Sequence, residues 1–595
     1  MAAKSEGSVA DRFPPQVLRE YALLADGERG ALIGPKGDVA WLCAPRWDSD
    51  AVFSSLVGGT GVYAVTPVEP FVWGGYYENG SLIWRSRWTT TDSIIECREA
   101  LSFPGDTSRM VLLRRIVAVD GDAHVEVVLD ARAGFGKHRM EDLHKAPARG
   151  STIWTGRSGR LQLRWSGAGT ARHRAGKELA MSLAIPEGGQ HDLVLEISEG
   201  ALPDVPADAS TCWEATEQTW QKAVPDLADC LAPKDTRHAY AVLRGMTSAA
   251  GGMVAAASMS LPERAEQGRN YDYRYVWIRD QSFTGQAIAA AGAHPLLDDA
   301  VRFVSGRMLE HGPGLAPAYT VTGDPVPDEH TLSLPGYPGG YDVAGNHVNS
   351  QFQLDAFGEA LMLFAAAARH DHLDADGWRA IEVAADAIEK RWDKPEAGIW
   401  ELDDRRWTES RLICVAGLRA VSAAVSSGSR TRSWLTLAER ILAETAATST
   451  HPSGRWQRAP DDESLDAALL LPPLRGAPPA DDPRTLATLQ GCLDDLCRDH
   501  YMYRFRQQPG ALAEAEGAFL LCGFVMAMAQ HQQGNQVEAV RWFERNRSAC
   551  GPPGLFSEEY DVNQRQLRGN LPQAFVHALM LEASVRLAEH PQLDR

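Results

Sequence analysis

The chain has 595 residues, more than one ordinary hydrophobic core accommodates, so two domains are expected. Its 44% hydrophobic and 23% charged composition is that of a water-soluble globular protein. A formal charge of −19 argues against nucleic acid and anionic membranes, which require basic patches, and fits a small neutral substrate. The first dozen residues hold no apolar run of signal-peptide length and no later stretch reads as a membrane span, so a cytoplasmic address is the simplest expectation. The nine cysteines are scattered, with no Cys-Xaa-Xaa-Cys pair. Neither a structural disulfide nor a structural metal is expected.

Residues 1–20 form a polar, proline-interrupted lead-in. From 21 to 200 the pattern is that of strands. Leu161, Leu163 and Trp165 alternate with Gln162 and Arg164, and the runs Met110–Val117 and His124–Leu129 flank an Asp120-Gly-Asp turn. Many short strands with Gly and Asp punctuation predict an antiparallel β-sandwich domain. Residues 201–234 read as a proline-rich linker with a helix near Thr211–Ala223. From 235 to 595 the pattern is helical, as in the faces Leu354/Phe357/Leu361/Phe364 and Phe519/Phe524/Met526/Met528. With long irregular loops and no short repeat, this second domain fits an α/α toroid whose rim loops build a pocket.

Four loop-like stretches carry candidate chemistry. Ala397-Gly-Ile-Trp-Glu401 lies between a helix marked by Trp378, Ile381, Ala385, Ile388 and Trp392, ended by Pro395, and a second helix with Thr408 as N-cap. Glu401 stands between the indoles of Trp400 and Trp407. Desolvation there would hold it protonated near neutrality, as suits a general acid; a solvated loop glutamate is the plainer alternative. Asn270–Asp280 packs three tyrosines, a tryptophan, two arginines and two aspartates into eleven residues. Such a set suits the apolar faces and hydroxyls of a sugar, or an ion-paired helix start. Gly554–Asp561 contributes adjacent glutamates, Glu558 and Glu559. Gly345–Asp355 offers amides that read hydroxyls or cap a helix. Two carboxylates far apart in sequence, each in an aromatic loop, suit glycoside hydrolysis by an acid and a base. No nucleophile elbow, phosphate loop or zinc helix competes.

With these motifs in place the chain resembles glycoside hydrolase family 15, the glucoamylase-like enzymes, and within it the actinobacterial trehalase branch. Gly30–Ser49 is similar to the family's opening β-sandwich signature. Gly398-Ile-Trp-Glu401 matches the motif of the general acid, which assigns that role to Glu401. Ser557-Glu-Glu-Tyr-Asp561 matches the motif of the general base and assigns it to Glu558, with Glu559 as fallback. Trp277-Ile-Arg-Asp280 matches the segment that grips the non-reducing glucose, hence Arg279 and Asp280. Glu516 lies in another family-like motif, as a second fallback base or a structural acid.

The resemblance implies an (α/α)6 barrel after the sandwich and inverting hydrolysis of a short α-glucoside, trehalose first. Many bacterial members carry Pro-Val-Arg where this chain has Asp342-Val-Ala, and tryptophan where Val415 stands; both departures favour the trehalase-like branch over starch-type specificity. Further sugar ligands are expected among Trp277, Trp400, Tyr273, Asn346, Gln351 and Arg411. The loop Thr320–Asn349 and the segment Arg46-Trp-Asp48 are expected to wall the pocket. The chemistry needs no cofactor, although related trehalases imply dependence on phosphate and Mg2+. A homo-oligomer is expected. Glucoamylase or isomaltose hydrolysis, phosphorolysis and non-catalytic sugar binding remain as alternatives.

Overall fold

The computed structural model describes residues 12–589 except 149–150, 175–177, 267, 293, 426–427, 508–511, 513 and 515. Most of the lead-in therefore lies outside the described residues. The chain then forms three antiparallel sheets. Strands Ala22–Ala25, Gly30–Ile33, Val39–Cys43 and Ala51–Phe53 make a four-stranded meander. A second four-stranded sheet contains Ala123–Asp130 and Leu179–Ile185 at its centre. An eight-stranded sheet runs from Met140–Ala148 at one edge to Val72–Tyr77 at the other.

The meander explains why the early strands read as apolar on every residue. Successive side chains of a strand point to opposite faces, and here both faces are covered. Ala22, Leu24, Ala31 and Ile33 enter the core between the sheets. Leu23, Ala25, Leu32 and Trp41 enter the core of the helical domain. On the strand Leu161–Ser166 the expected alternation holds for Gln162, which is exposed, but not for Arg164, which is buried. The linker covers that face: Arg164 pairs with Glu196 at 2.6 Å and donates to the Pro203 carbonyl at 2.6 Å.

Thirteen helices follow among the described residues. The first are α1 (Ala209–Ala223), α2 (Pro233–Met246), α3 (Ile278–Ala291), α4 (Pro295–His311), α5 (Asp355–Arg369) and α6 (Ala375–Arg391). Next come α7 (Thr408–Ala424), α8 (Ser429–Thr448), α9 (Leu471–Leu474) and α10 (Pro483–Asp495). The chain ends with α11 (Leu520–Gln532), α12 (Gln536–Arg547) and α13 (Ala574–Arg586). Helices α3, α5, α7, α9, α11 and α13 pack each against the next, and α13 closes on α3. Helices α2, α4, α6, α8, α10 and α12 lie outside them, so the domain is an (α/α)6 barrel.

Burial follows from this arrangement. α5 is buried from Asp355 through Ala367, because inner helices are covered on all sides. Outer α6 keeps an apolar stripe of Ile381, Ala385 and Ile388, while Trp378, expected on that stripe, is 37% exposed. Phe519 belongs to a two-residue strand before α11, not to the helix. The fourth inner position is only a short turn, Ala467–Leu470, followed by the four residues of α9, where Pro472 and Pro473 allow no longer helix.

A buried ion pair fastens that short segment to the ring. Arg475, just past α9, meets Glu582 of α13 at 2.9 Å, and both side chains are at most 1% exposed. Burial pushes Glu582 up, but Arg475 and Arg586 overcome it and hold the carboxyl down to about 2. Its folded value lies below the ordinary glutamate value of about 4.3. The stabilisation is therefore complete above the unfolded value and is lost as pH falls through the folded one. Arg475→Met should lower stability by about 3–5 kcal/mol in urea unfolding at neutral pH, because it strands a buried carboxylate. The deficit should shrink as the pH is taken from about 4.3 toward about 2.

Candidate active site

Between α6 and α7 the chain makes a turn whose foundation is Glu396, a fully buried carboxylate. It accepts from the Leu354 N–H at 3.2 Å and the Gly398 N–H at 2.8 Å, and pairs with Arg411 at 2.7 Å. Burial pushes Glu396 up to about 7 against the pull of Arg411. Gly398 has φ +71°, and a Cβ there would stand 2.6 Å from Trp407 Cδ1. Glu401 itself adopts φ +55°, a left-handed backbone unusual outside glycine. Two bonds close the turn: Glu401 N–H to Gly398 O at 3.1 Å and Leu402 N–H to Ala397 O at 2.9 Å.

The Glu401 side chain lines a cavity of about 1000 Å3, counted to its open mouth. The cavity meets the first turns of α3, α11 and α13 and the loops that lead into α5 and α7. Inner-helix N-termini thus face it, and their partial positive charge favours carboxylates there. Trp277 Nε1–H donates to Glu401 Oε1 at 2.6 Å, and the Arg279 guanidinium stands 3.5 Å from the same oxygen. The indole bonded to Glu401 is therefore that of Trp277. Trp400 instead donates its N–H to Asp466 at 2.9 Å and packs edge-on against Phe519, while Trp407 lies under Gly398.

Arg279 is shared among Asp280 at 3.4 Å, Asp355 at 3.5 Å and the Gln353 side-chain amide oxygen at 2.9 Å. Burial raises Asp280 to about 6 against the opposing pull of Arg279, and the charges of Glu401 and Asp355 add to the rise. Tyr273 lies edge-on to Trp277 and parallel to Tyr271, giving the cavity an aromatic wall.

Glu558 enters the same cavity from the other end of the sequence. Phe556 N–H donates to His577 Nε2 at 3.2 Å and Leu520 N–H to Glu558 O at 3.1 Å. The following strand, Glu559–Asp561, pairs with Ala518–Phe519 and Gln566–Arg568. Adjacent residues of a strand face opposite ways, which separates the two glutamates. Glu558 reaches the cavity, where its Oε2 has no hydrogen-bond partner. Glu559 turns inward and accepts from the Gly517 N–H at 2.6 Å. Burial, then the charge of Glu263, hold Glu558 well above the usual carboxylate range. Glu516 is engaged by Arg504 at 2.5 Å and Arg269 at 3.0 Å and does not line the cavity.

Three expected sugar ligands are placed elsewhere. Asn346 caps the turn His347–Ser350 through the Val348 N–H and donates to Asp272 O, so its neighbour His347 lines the cavity in its stead. Gln351 accepts from Gln353 behind Arg279. Arg411 is consumed by Glu396 and the carbonyls of Trp392 and Trp407. The segment Arg46-Trp-Asp48 walls no part of the cavity: Trp47 is buried on the Gly27 carbonyl and Arg46 faces Asp48.

Glu263, Arg269, Arg504 and Gln573 line the cavity and were not read from the sequence. A glutamate ending the apolar run Met259-Ser-Leu-Pro-Glu263, and an arginine enclosed by Tyr503 and Phe505, were the available signals. Among the described residues no group of three or more His, Cys, Asp or Glu is placed to hold a metal ion, and no helix is long and apolar enough to cross a membrane.

An (α/α)6 barrel with paired acids, aromatic walls and an Arg-Asp clasp at its mouth defines a carbohydrate-active barrel protein. The chain belongs to glycosyl hydrolases family 15, whose model matches residues 237–585, and residues 13–205 match a trehalase-like N-terminal domain. It is a glycoside hydrolase. A trehalase of Mycolicibacterium smegmatis is 30% identical over 97% of this chain and 91% of its own length. A trehalase of Mycobacterium tuberculosis is 29% identical over 99% of this chain and 92% of its own. The crystal structure of a bacterial glucoamylase complexed with acarbose has the same fold, with a TM-score of 0.71 at 15% identity, covering 97% of this chain and 94% of that one.

Gly398→Ala tests the turn. The added methyl meets the Trp407 ring and a left-handed backbone, so it should displace Glu401 and lower kcat by about 100-fold. A variant with near-wild-type kcat would show that the turn does not set the position of Glu401.

Proposed function

We propose that the chain hydrolyses trehalose to two molecules of glucose by a single inverting displacement. Glu401 gives its proton to the glycosidic oxygen as the C–O bond breaks. Glu558 takes a proton from the water that attacks the anomeric carbon from the opposite face. The Trp277 N–H and the Arg279 guanidinium are set to receive the negative charge that Glu401 acquires. Arg279 and Asp280 bind hydroxyls of the inner glucose, and Tyr273, Trp277 and Trp400 cover its apolar faces. A buried clasp excludes water from those hydrogen bonds, which strengthens them.

The observation that carries this reading is the convergence of Glu401 and Glu558, from loops far apart in sequence, on one cavity with Arg279 and Asp280. The trehalases named above support trehalose as substrate, since they align over nearly the whole chain. The acid and base roles fall to the chain's own carboxyl groups, Glu401 and Glu558.

Glu401→Gln should lower turnover of trehalose by about 100- to 10,000-fold while sugar binding persists, because the amide keeps the shape but carries no acidic proton. A glucoside with a good leaving group should be much less affected. Proton NMR of freshly released sugar should show one β-glucose from the attacked ring and one α-glucose from the leaving ring. Two α-glucose molecules would rule out inversion, and cleavage of maltose, isomaltose or starch without trehalose would overturn the substrate.

The pH profile follows from Glu558, which must be ionised to act. Its value is raised, so kcat/KM should begin to fall on acidification at a higher pH than an ordinary glutamate near 4.3 would dictate. An acid limb at or below that value would remove Glu558 from the role.

A further inference from the structure

Around Glu558, four carboxyl groups, its own among them, and two guanidinium groups share one largely buried cluster. Glu263, Glu516 and Glu559 are each at most 5% exposed. Both cations converge on a single acid. Arg504 and Arg269 reach Glu516 at 2.5 and 3.0 Å, and Gln507 adds a donor at 3.2 Å. Glu516 is thereby held below the ordinary range, its burial notwithstanding.

Nothing comparable serves the other three. Glu263 has Arg269 only at 3.8 Å. Glu559 accepts one bond, from the Gly517 N–H, and its second oxygen is buried without a donor. Glu559 pairs with Arg568, and the next residue, Gly569, donates its N–H to the Pro262 carbonyl at 3.0 Å, which sets the Glu559 side chain beside Glu263 to bond carboxyl to carboxyl. Two carboxyl groups form such a bond only when one of them carries a proton, and two ionised ones in contact in a dry site repel strongly. Glu263 also flanks the base. A Cβ on Gly569 would lie 3.7 Å from Glu263 Cγ and 3.9 Å from Glu558 Oε2.

We propose that Glu263 and Glu559 are a positioning pair holding one proton between them, which limits the negative charge they place behind Glu558 to one unit and leaves Glu558 free to ionise. This rests on the reading of Glu558 as the base. The remaining groups facing Glu558 are Arg504 from the loop before α11, Asp280 from α3, and Glu401. Tyr271 and Tyr273 stand beside it as neutral phenols, their ionisation opposed by burial. His347 lies at the cavity's exposed rim, toward Glu329 at 3.5 Å. None of these donates to Glu559, so the shared proton is the one available to it.

The test is the acid limb of kcat/KM in glutamine variants of the full chain. Glutamine at 559 keeps both contacts: its carbonyl accepts from Gly517 and its amide donates to Glu263. Glu559→Gln, and equally Glu263→Gln, should substitute a permanent amide for the shared proton, keep one charge, and leave the limb where it is in wild type. The double variant Glu263→Gln/Glu559→Gln removes the last charge, and the limb should move to lower pH by about one unit or more. A shift of that size in each single variant would mean two ionised carboxylates in wild type and would overturn the proposal. An unmoved limb in the double variant would overturn it too.

Should the double variant not fold, infrared spectroscopy at neutral pH decides. The carbonyl band of buried protonated carboxyls should lose intensity in Glu559→Gln, and an unchanged band counts against the pair. Glu558→Gln separates the two readings. Near-wild-type turnover there removes Glu558 from the mechanism, whereas loss of turnover with the wrong pattern in the pair sinks the shared proton alone.

Discussion

Inside the barrel, carboxyl groups outnumber the cations available to them, and the placement of each arginine decides which acids stay charged. Among the described residues, Asp355 is buried with only Arg279, at 3.5 Å, to offset its charge, Glu409 is buried with one oxygen that accepts no hydrogen bond, and burial raises both. Burial likewise raises Glu359 to about 7, with Arg475 opposing it. Arg279 is the cation among Asp280, Asp355 and Glu401, Arg411 serves Glu396, and Arg475 serves Glu582. A protein interior tolerates this because the inner helices start at the cavity, where their unpaired N–H groups and partial positive charge lie. The same excess would be much more costly at the C-terminal ends of those helices, and there the chain places Arg369, Arg419 and Arg586 instead.

Stability and chemistry are joined through Glu396. Its carboxylate ties the first turn of α5, the Gly398 turn and the first turn of α7 into one unit. The left-handed backbone at Glu401 persists because this frame over-determines it, so strain at a functional residue is held by a structural acid five positions earlier. Arg411 therefore matters to the site without touching the cavity. Replacing it would strand a buried carboxylate and loosen the turn at once.

The contiguous motifs were legible in the sequence because they bundle several functional groups into a few residues. Trp277, Arg279, Asp280 and Glu401 lie in such runs, and all four meet at the cavity. The sandwich and the helical domain were legible because strand and helix periodicities differ. Other features had no local signal. An inner helix such as α11 is apolar all round, so its pattern gives neither its face nor its neighbours in the ring. Asn346 has the chemistry of a sugar ligand, yet its amide is spent on capping. Glu263 and Arg504 are single residues whose significance arises only when segments some 240 residues apart fold together. Glu558 and Glu559 are told apart in the sequence by the motif match alone; in the fold, the short sheet Ala518–Phe519, Glu559–Asp561 and Gln566–Arg568 turns the second of them inward onto the Gly517 N–H.

That short sheet leads to the role of the N-terminal domain. The segment from Ala255 to Glu263 runs beside the tyrosine stretch, with Ala255 N–H bonded to Tyr275 O and Ser260 N–H to Tyr271 O. It also bonds to the chain after Glu558, through Ala574 N–H to Ala255 O and Gly569 N–H to Pro262 O. The tyrosine wall, Glu263 and the base loop are thus one ribbon. The sandwich holds that ribbon from outside: Trp41 donates to the Ala257 carbonyl at 2.9 Å, and Arg274 donates to the Ser49 carbonyl at 2.7 Å. Because one face of the first meander belongs to the barrel's own apolar core, removing the sandwich would expose that core and free the ribbon together. The barrel closes its ring by itself, but the base side of its cavity is shaped by both domains.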